Sequence, residues 1–188
     1  GTNKMVEEIY ENLLMTKEQK KPGDFEDDFS MERRLDEWVH LRNPERENYS
    51  LDESGKGLWM TGNKETLSSG GSCTFIGKRQ CHFECDTTVA FKLNLKNEDE
   101  EAGLTAYMSD SYHYDICVKN KNGENHIILR KVIADFCIEE TSVVLEDDCV
   151  VLGIEADEKI YRFYFKDTEN KKWYIGKAEC KFLASEIS

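Results

Sequence analysis

The sequence is poor in proline and in positive charge. Only two of its 188 residues are proline, and none follows Pro44, so no proline interrupts backbone hydrogen bonding in the rest of the chain. The 25 Lys and Arg residues stand against 38 Asp and Glu, which gives a net charge of −13 and a pI near 4.8. Phosphate backbones and anionic lipid surfaces bind to basic patches. The composition therefore predicts that neither nucleic acid nor a membrane surface is a partner.

Long apolar runs are also missing. No stretch approaches the roughly 20 apolar residues of a membrane-spanning helix. Residues 1–14 lack the basic region and apolar run of a secretion signal. The seven cysteines are odd in number and scattered through apolar segments, unlike a spaced disulfide framework. We therefore expect reduced, buried thiols and a cytoplasmic protein.

The first 23 residues are predicted to form a short amphipathic helix and a linker. Apolar residues at positions 6, 9, 10, 13 and 14 follow the spacing of one helix face. A charge run and the pair Pro22-Gly23 come next, which is typical of a linker or turn. Because an isolated helix of this length is marginal in water, its apolar face must pack on the following domain, a second copy or a neighbour.

Residues 24–188 are predicted to form one all-β domain, an antiparallel β-sandwich. Short runs with a period of two are separated by Gly, Asn and Asp, and Asn122-Gly123 is a strong hairpin signal. About seven or more strands with no helix between them exclude a parallel α/β sheet. The clearest strands are 81–93, 103–108, 112–119, 126–132, 150–156, 160–166 and 172–175.

Metal and nucleophile patterns are weak. Cys81 and Cys85 would lie about 13 Å apart on a strand with His82 on the other face, so the three cannot converge on one zinc ion. The acid pairs Asp27–Asp28 and Asp147–Asp148 lack the alternating ligands of a calcium loop, and calcium binding is kept only as an alternative. No cofactor is indicated, and no catalytic carboxylate pair stands out among so many acids.

One predicted face carries side chains suited to a sugar. Strict alternation puts Tyr107, His113 and Asp115 on the polar sides of two neighbouring strands. An aromatic platform with fixed polar partners is what a sugar requires, whereas the alternative is a solvated face or a face buried on another domain. The candidate sugar-binding residues are Trp59, Gln80, His82, Tyr107, His113 and Asp115. The opposite, core side is predicted to contain Ala102, Leu104, Ala106, Met108, Tyr114, Ile116 and Val118.

A series of ordered motifs resembles a known family. Any one of them would be weak, but the ordered run is specific and covers the chain from about Gly23 to its end. The motifs are Phe25-x-Asp27-Asp28-Phe29-Ser30, Leu35-x-x-Trp38-x-x-Leu41-Arg42-Asn43-Pro44, Asn48-Tyr49-Ser50-Leu51, Gly57-Leu58-Trp59-Met60-x-Gly62, Phe75-Ile76-Gly77-Lys78-Arg79-Gln80-x-His82-Phe83, Glu100-Glu101-Ala102-Gly103-Leu104-Thr105-Ala106-Tyr107 and Tyr112-His113-Tyr114-Asp115-Ile116. This ordered run is similar to the C-terminal concanavalin A-like β-sandwich, a jelly roll, of glycoside hydrolase family 43 β-xylosidases and α-arabinofuranosidases.

The resemblance implies an accessory domain without catalytic residues of its own. In that family the domain follows a five-bladed β-propeller that holds the three catalytic acids of an inverting mechanism. Since 188 residues cannot also hold the propeller, the chemistry is expected in a partner domain absent from this chain, within a glycosidase of xylan or arabinoxylan. The alternative is a carbohydrate-binding module for xylo-oligosaccharides or related glycans, and the sequence leaves both monomer and homo-oligomer as alternatives.

The end of the chain departs from the family pattern. Family members usually continue past a segment like Phe182–Glu186 through a Gly/Phe-rich strand, with a Phe that reaches toward the active site, whereas this sequence stops at Ser188. The resemblance therefore implies that the domain is truncated at its C-terminus or differs there.

Overall fold

The computed structural model describes residues 24–30, 38–53 and 55–184. The predicted N-terminal helix lies outside the described residues. The described residues form two compact units, which divide along the sequence between Cys81 and His82. Within the described residues, no helix has the length and apolar character that crossing a bilayer requires.

The first unit is a small loop-rich body with one hairpin. A 3₁₀ turn at Arg46–Asn48 leads into β1 (Tyr49–Leu51), which pairs antiparallel with β2 (Leu58–Met60). The Tyr49 hydroxyl lies between the backbone N–H of Phe75, 2.8 Å away, and the Phe75 carbonyl, 3.1 Å away. Local aromatic and polar contacts of this kind hold the unit together without a large sheet.

The second unit is an antiparallel β-sandwich, as predicted. Sheet A has the strand order β4-β5-β6-β7 and sheet B the order β10-β9-β8-β3. The strands are β3 (Cys85–Lys92), β4 (Glu101–Ser109), β5 (Tyr112–Lys121), β6 (Glu124–Ile133), β7 (Phe136–Val144), β8 (Cys149–Ala156), β9 (Ile160–Lys166) and β10 (Lys172–Glu179), followed by a 3₁₀ turn at Cys180–Leu183.

The core lies between the two sheets. Tyr114, Ile116 and Val118 of β5 are fully buried, which confirms their predicted place in the core. Sheet B contributes Leu152 and Phe163 to the same cluster. Since each such side chain stabilises the fold by roughly 1.5–3 kcal/mol when it leaves water, this layer is the main source of stability.

The Asn122-Gly123 hairpin is confirmed between β5 and β6. Both residues have positive φ, 53° and 84°, as a two-residue type I′ turn requires. The Asn120 side-chain oxygen accepts a hydrogen bond from the Gly123 N–H at 3.2 Å. This turn fixes the register of the two central strands of sheet A.

Two sequence-based expectations need correction, and both corrections concern exposure. Met108 is 39% exposed because the pairing of β4 with β5 shifts register between Tyr107 and Ser109, which breaks strict alternation. The seven cysteines, all among the described residues, form no disulfide bond with one another, but only Cys73 and Cys117 are buried. Cys81 and Cys137 are exposed, and the other three cysteines are partly exposed. The strand β7 was not anticipated.

Candidate functional site

The predicted polar face exists on the outer side of sheet A, away from the core. In the register of β4 and β5, Tyr107 is opposite His113 and Thr105 is opposite Asp115. The Tyr107 ring stacks on the His113 ring with centroids 5.9 Å apart, and its hydroxyl donates to Asp110 at 2.6 Å. The expectation that Tyr107, His113 and Asp115 share one face is confirmed.

His113 and Asp115 are nevertheless buried, with 1% and 2% of their surfaces exposed. Nδ1 of His113 lies 2.9 Å from Oδ1 of Asp115, which also accepts from the Thr105 hydroxyl at 2.7 Å. Nε of Arg130 donates to Oδ2 of Asp115 at 2.9 Å. Groups that already satisfy one another offer little to a sugar. The structure corrects their expected exposure, and their role in sugar binding stays a prediction.

Arg130 links this cluster to a second carboxylate. Its two terminal nitrogens donate to the two oxygens of Glu101 at 2.9 and 2.7 Å, a bidentate pair. Burial opposes the charge of Asp115, but the hydrogen bond and charge of His113 and the charge of Arg130 outweigh it and lower the pKa of Asp115. The pKa of Arg130 is raised, since its two carboxylate partners outweigh its burial. The charged side chains of this cluster therefore pair with one another in one network.

The remaining predicted site residues lie elsewhere. Trp59 is in β2 of the first unit, where it is 50% exposed and donates from its indole nitrogen to Asp52 at 3.0 Å. Gln80 is exposed near the end of the same unit, and His82 is exposed at the start of the second unit. Both precede β3 and lie outside the strands.

A second polar cluster, on the outer face of sheet B, was not predicted. The Tyr164 ring lies across Gly153 of the neighbouring strand, where a Cβ would sit 2.1 Å from Cζ of the ring. The Tyr164 hydroxyl donates to Oδ1 of Asp86 at 2.6 Å, and the Lys172 ammonium lies 4.3 Å from the centre of the ring. An apolar strand interrupted by one glycine was the available signal, since such a glycine marks close approach of a neighbour.

Lys172 and Tyr174 extend this cluster to the edge of the sheet. The Lys172 ammonium donates to Asp86 at 2.6 Å and to Glu155 at 3.0 Å, while the Tyr174 hydroxyl donates to Glu155 at 2.7 Å. The hydrogen bond from Tyr174, together with the hydrogen bond and charge of Lys172, outweighs partial burial and lowers the pKa of Glu155. The same Glu155 contact raises the pKa of Tyr174. Tyr174 keeps half its surface exposed.

The first of the two acid pairs considered for calcium, Asp27–Asp28, has structural partners. The Asp27 carboxylate accepts from the Phe29 N–H and from the Trp38 indole, both at 2.9 Å, and Asp28 accepts from the Ser30 N–H at 3.0 Å. Across residues 24–30, 38–53 and 55–184, no group of three or more His, Cys, Asp or Glu side chains is arranged to hold a metal ion.

Buried tyrosines are expected to make the fold less stable at alkaline pH. Burial, followed by nearby negative charge, raises the pKa of Tyr114 from its ordinary 10.0 to about 12. A raised pKa contributes stability that is complete below pH 10 and is lost as pH rises through the folded value. We expect a titration of tyrosine absorbance to show a late-ionising class, with unfolding above about pH 11. Ionisation of every tyrosine near pH 10 without unfolding would contradict this.

Comparison with known proteins identifies the sandwich. The sequence profile of β-xylosidase C-terminal concanavalin A-like domains, a family attached to glycoside hydrolase family 43, matches residues 26–188. This chain belongs to that family. The match covers the first unit as well as the sandwich.

Similar proteins are longer than this domain. A non-reducing end α-L-arabinofuranosidase of Bacteroides ovatus is 30% identical over 162 residues, which are 86% of this chain and 30% of that protein. The solved structure of GH43B from the Bacteroides ovatus xyloglucan PUL is 30% identical, with a TM-score of 0.79 over 86% of this chain and 32% of that one. A xylan β-1,4-xylosidase of Bacillus halodurans C-125, 20% identical, shares the fold with a TM-score of 0.77 over 91% of this chain and 34% of that chain. The chain thus spans about a third of the length of these relatives.

Proposed function

We propose that this domain is a non-catalytic accessory part of a glycosidase that releases xylose or arabinose from xylan or arabinoxylan. It supports a catalytic β-propeller and the pocket of that propeller. The domain spans only about 30% of the related arabinofuranosidase, which leaves most of that enzyme for other domains. This difference in length is the observation that carries the proposal.

The carboxyl groups support the same conclusion. A glycosidase of this kind needs one carboxylic acid with a raised pKa to protonate the leaving group. Every described Asp or Glu whose pKa is clearly shifted is shifted downward by hydrogen bonds or by cationic partners. These residues are Asp28, Glu100, Asp115, Glu139, Glu155, Asp157 and Asp167. Such groups are suited to ion pairs and turns rather than to acid catalysis.

An activity assay of the purified chain tests the proposal. We expect no hydrolysis of aryl β-xylosides or aryl α-arabinofuranosides by the folded chain, with circular dichroism as the check on folding. The full-length Bacteroides ovatus arabinofuranosidase serves as the positive control for the arabinoside. Hydrolysis that survives repurification, and that a carboxylate substitution in this chain abolishes, would overturn the proposal.

Oligosaccharide binding is a second candidate function. The observation that favours it is the half-exposed indole of Trp59, which Asp52 holds in one orientation and which offers a flat apolar surface to a sugar ring. On this hypothesis Trp59→Ala weakens the binding of xylo-oligosaccharides and leaves the chain folded.

A further inference from the structure

We propose that the outer face of sheet B binds a neutral oligosaccharide, with Tyr174 as the stacking platform. The proposal rests on the oligosaccharide-binding function above for its ligand class, but it assigns the binding to sheet B instead of Trp59. The observation that carries it is the combination of an exposed ring with a fixed polar array on one sheet face.

The outward side chains of sheet B form ordered rows across its four strands. Thr88, Gly153, Tyr164 and Tyr174 are paired in sequence across β3, β8, β9 and β10. The adjacent row consists of Asp86, Glu155, Arg162 and Lys177. Because neighbouring strands lie about 4.8 Å apart, each row extends for about 14 Å. In the first row Gly153 has no side chain and Tyr164 is fully buried, so Tyr174 at one end provides the exposed ring. A ligand that extends from it along either row would contact more than one strand.

Tyr174 is positioned as a platform. It is 52% exposed, and its hydroxyl is held by Glu155 at 2.7 Å. On its inner side, its ring lies 5.5 Å from the ring of Tyr164, which is itself fully buried. A supported ring loses little conformational entropy when a pyranose stacks on it. Tyr174 therefore has both the exposure and the rigidity that sugar stacking requires.

The polar groups beside the ring have hydrogen-bonding capacity left over. A carboxylate offers about four acceptor positions, and each oxygen of Glu155 and of Asp86 takes one described hydrogen bond. Arg162 pairs through one terminal nitrogen with Asp157 at 2.8 Å, and a guanidinium has five N–H donors. The face therefore presents donors and acceptors side by side, as vicinal hydroxyl groups require.

The charges on this face favour a neutral ligand. Asp86 and Glu155 are each within 3.0 Å of Lys172. Lys177 lies in the same row as these carboxylates, beside Arg162, which pairs with Asp157. The three cationic and three anionic side chains of this face therefore balance in number. A strongly anionic or cationic ligand would gain little net attraction here. Hydroxyl groups interact with both signs, and the ligand class that fits is a neutral chain of pyranose rings.

The outer face of sheet A provides the contrast. There the carboxylate and the imidazole are buried and hydrogen-bonded to each other, whereas Glu155, Lys172 and Asp86 on sheet B are partly exposed. The two faces carry similar residue types, but sheet B presents them to solvent beside an exposed ring.

Titration of the folded 188-residue chain with xylohexaose, followed by amide NMR shifts, tests the proposal. We expect saturable shifts in β8, β9 and β10 that are insensitive to added salt. Tyr174→Ala is expected to weaken binding about tenfold or more, whereas Tyr174→Phe keeps the platform and most of the affinity. The matched control is Phe136→Ala, which removes an exposed aromatic side chain from an edge strand of sheet A and is expected to leave binding unchanged.

Each other outcome overturns the assignment. Loss of binding in Trp59→Ala but not in Tyr174→Ala would transfer the site to the first unit. Equal losses of affinity in Tyr174→Phe and Tyr174→Ala would contradict stacking. The absence of amide shifts at the highest xylohexaose concentration would contradict the binding proposal itself. None of these results bears on the hydrolysis assay, so the accessory-domain proposal is tested separately.

Discussion

Gly103→Ala is expected to destabilise the sandwich by about 3 kcal/mol, as overpacking at a site without room does. A Cβ at this position in β4 would lie 2.4 Å from Cα of Cys117 and 2.4 Å from the carbonyl oxygen of Ile116. Both are backbone atoms of the paired strand β5, so no side-chain rotation relieves the contact. The two strands would have to separate in the middle of sheet A.

Urea unfolding of Gly103→Ala and of the parent chain measures this effect. Gly62→Ala is the matched control, because a Cβ at this position would have no other atom within 4 Å and the φ of Gly62 is not positive. We expect the control to remain within about 0.5 kcal/mol of the parent chain. Equal stabilities for the two alanine variants would show that β4 and β5 do not approach as closely as the structure indicates.

Asp115→Ala is expected to lower the free energy of unfolding by about 3–5 kcal/mol, as removal of one partner of a buried ion pair does. The substitution leaves Nε of Arg130 and Nδ1 of His113 without the carboxylate that each approaches at 2.9 Å. Asp115→Asn keeps the shape but not the charge, so we expect an intermediate loss. Glu124→Ala, which removes a largely exposed carboxylate from the neighbouring strand β6, is the control and is expected to cost less than about 0.5 kcal/mol.

Acid titration gives the Asp115 prediction a second readout. Because the folded pKa of Asp115 is below its ordinary 3.8, its contribution is present above the unfolded pKa and is lost as pH falls through the folded value. We expect the parent chain to lose more stability than Asp115→Ala between about pH 5 and pH 2. Parallel acid profiles for the two proteins would contradict a depressed pKa at this carboxyl.

Alternation and turn chemistry predicted most of the sandwich from sequence. The apolar side of β5 and the Asn122-Gly123 turn both follow local rules, and both are confirmed. Alternation does not predict the strand β7 because the pairing of β7 with β6 shifts register opposite Leu129 and Arg130. The extra residue places Glu139 and Glu140 consecutively in the middle of the strand and hides the period of two.

The candidate site was harder to predict because its burial depends on distant partners. Alternation correctly placed His113 and Asp115 on one face, but Arg130, which completes their network, comes from another strand. Nothing in the local pattern states whether such a face is buried. Likewise, the contact between Tyr164 and Gly153 joins two apolar strands whose register sequence periodicity does not specify.

The exposed strand β7 has a consequence for behaviour at high concentration. It is an edge strand of sheet A, and Phe136, Ile138 and Val144 along it are exposed. Such an edge is a template for pairing with a second chain and hence for aggregation. Glu139 and Glu140 interrupt the apolar sequence at its centre, where they pair with Lys121 and Lys131 at 2.7 and 2.6 Å and keep charged groups in the middle of the edge. Colloidal stability should therefore depend on these two carboxylates and decline when both are replaced by apolar residues.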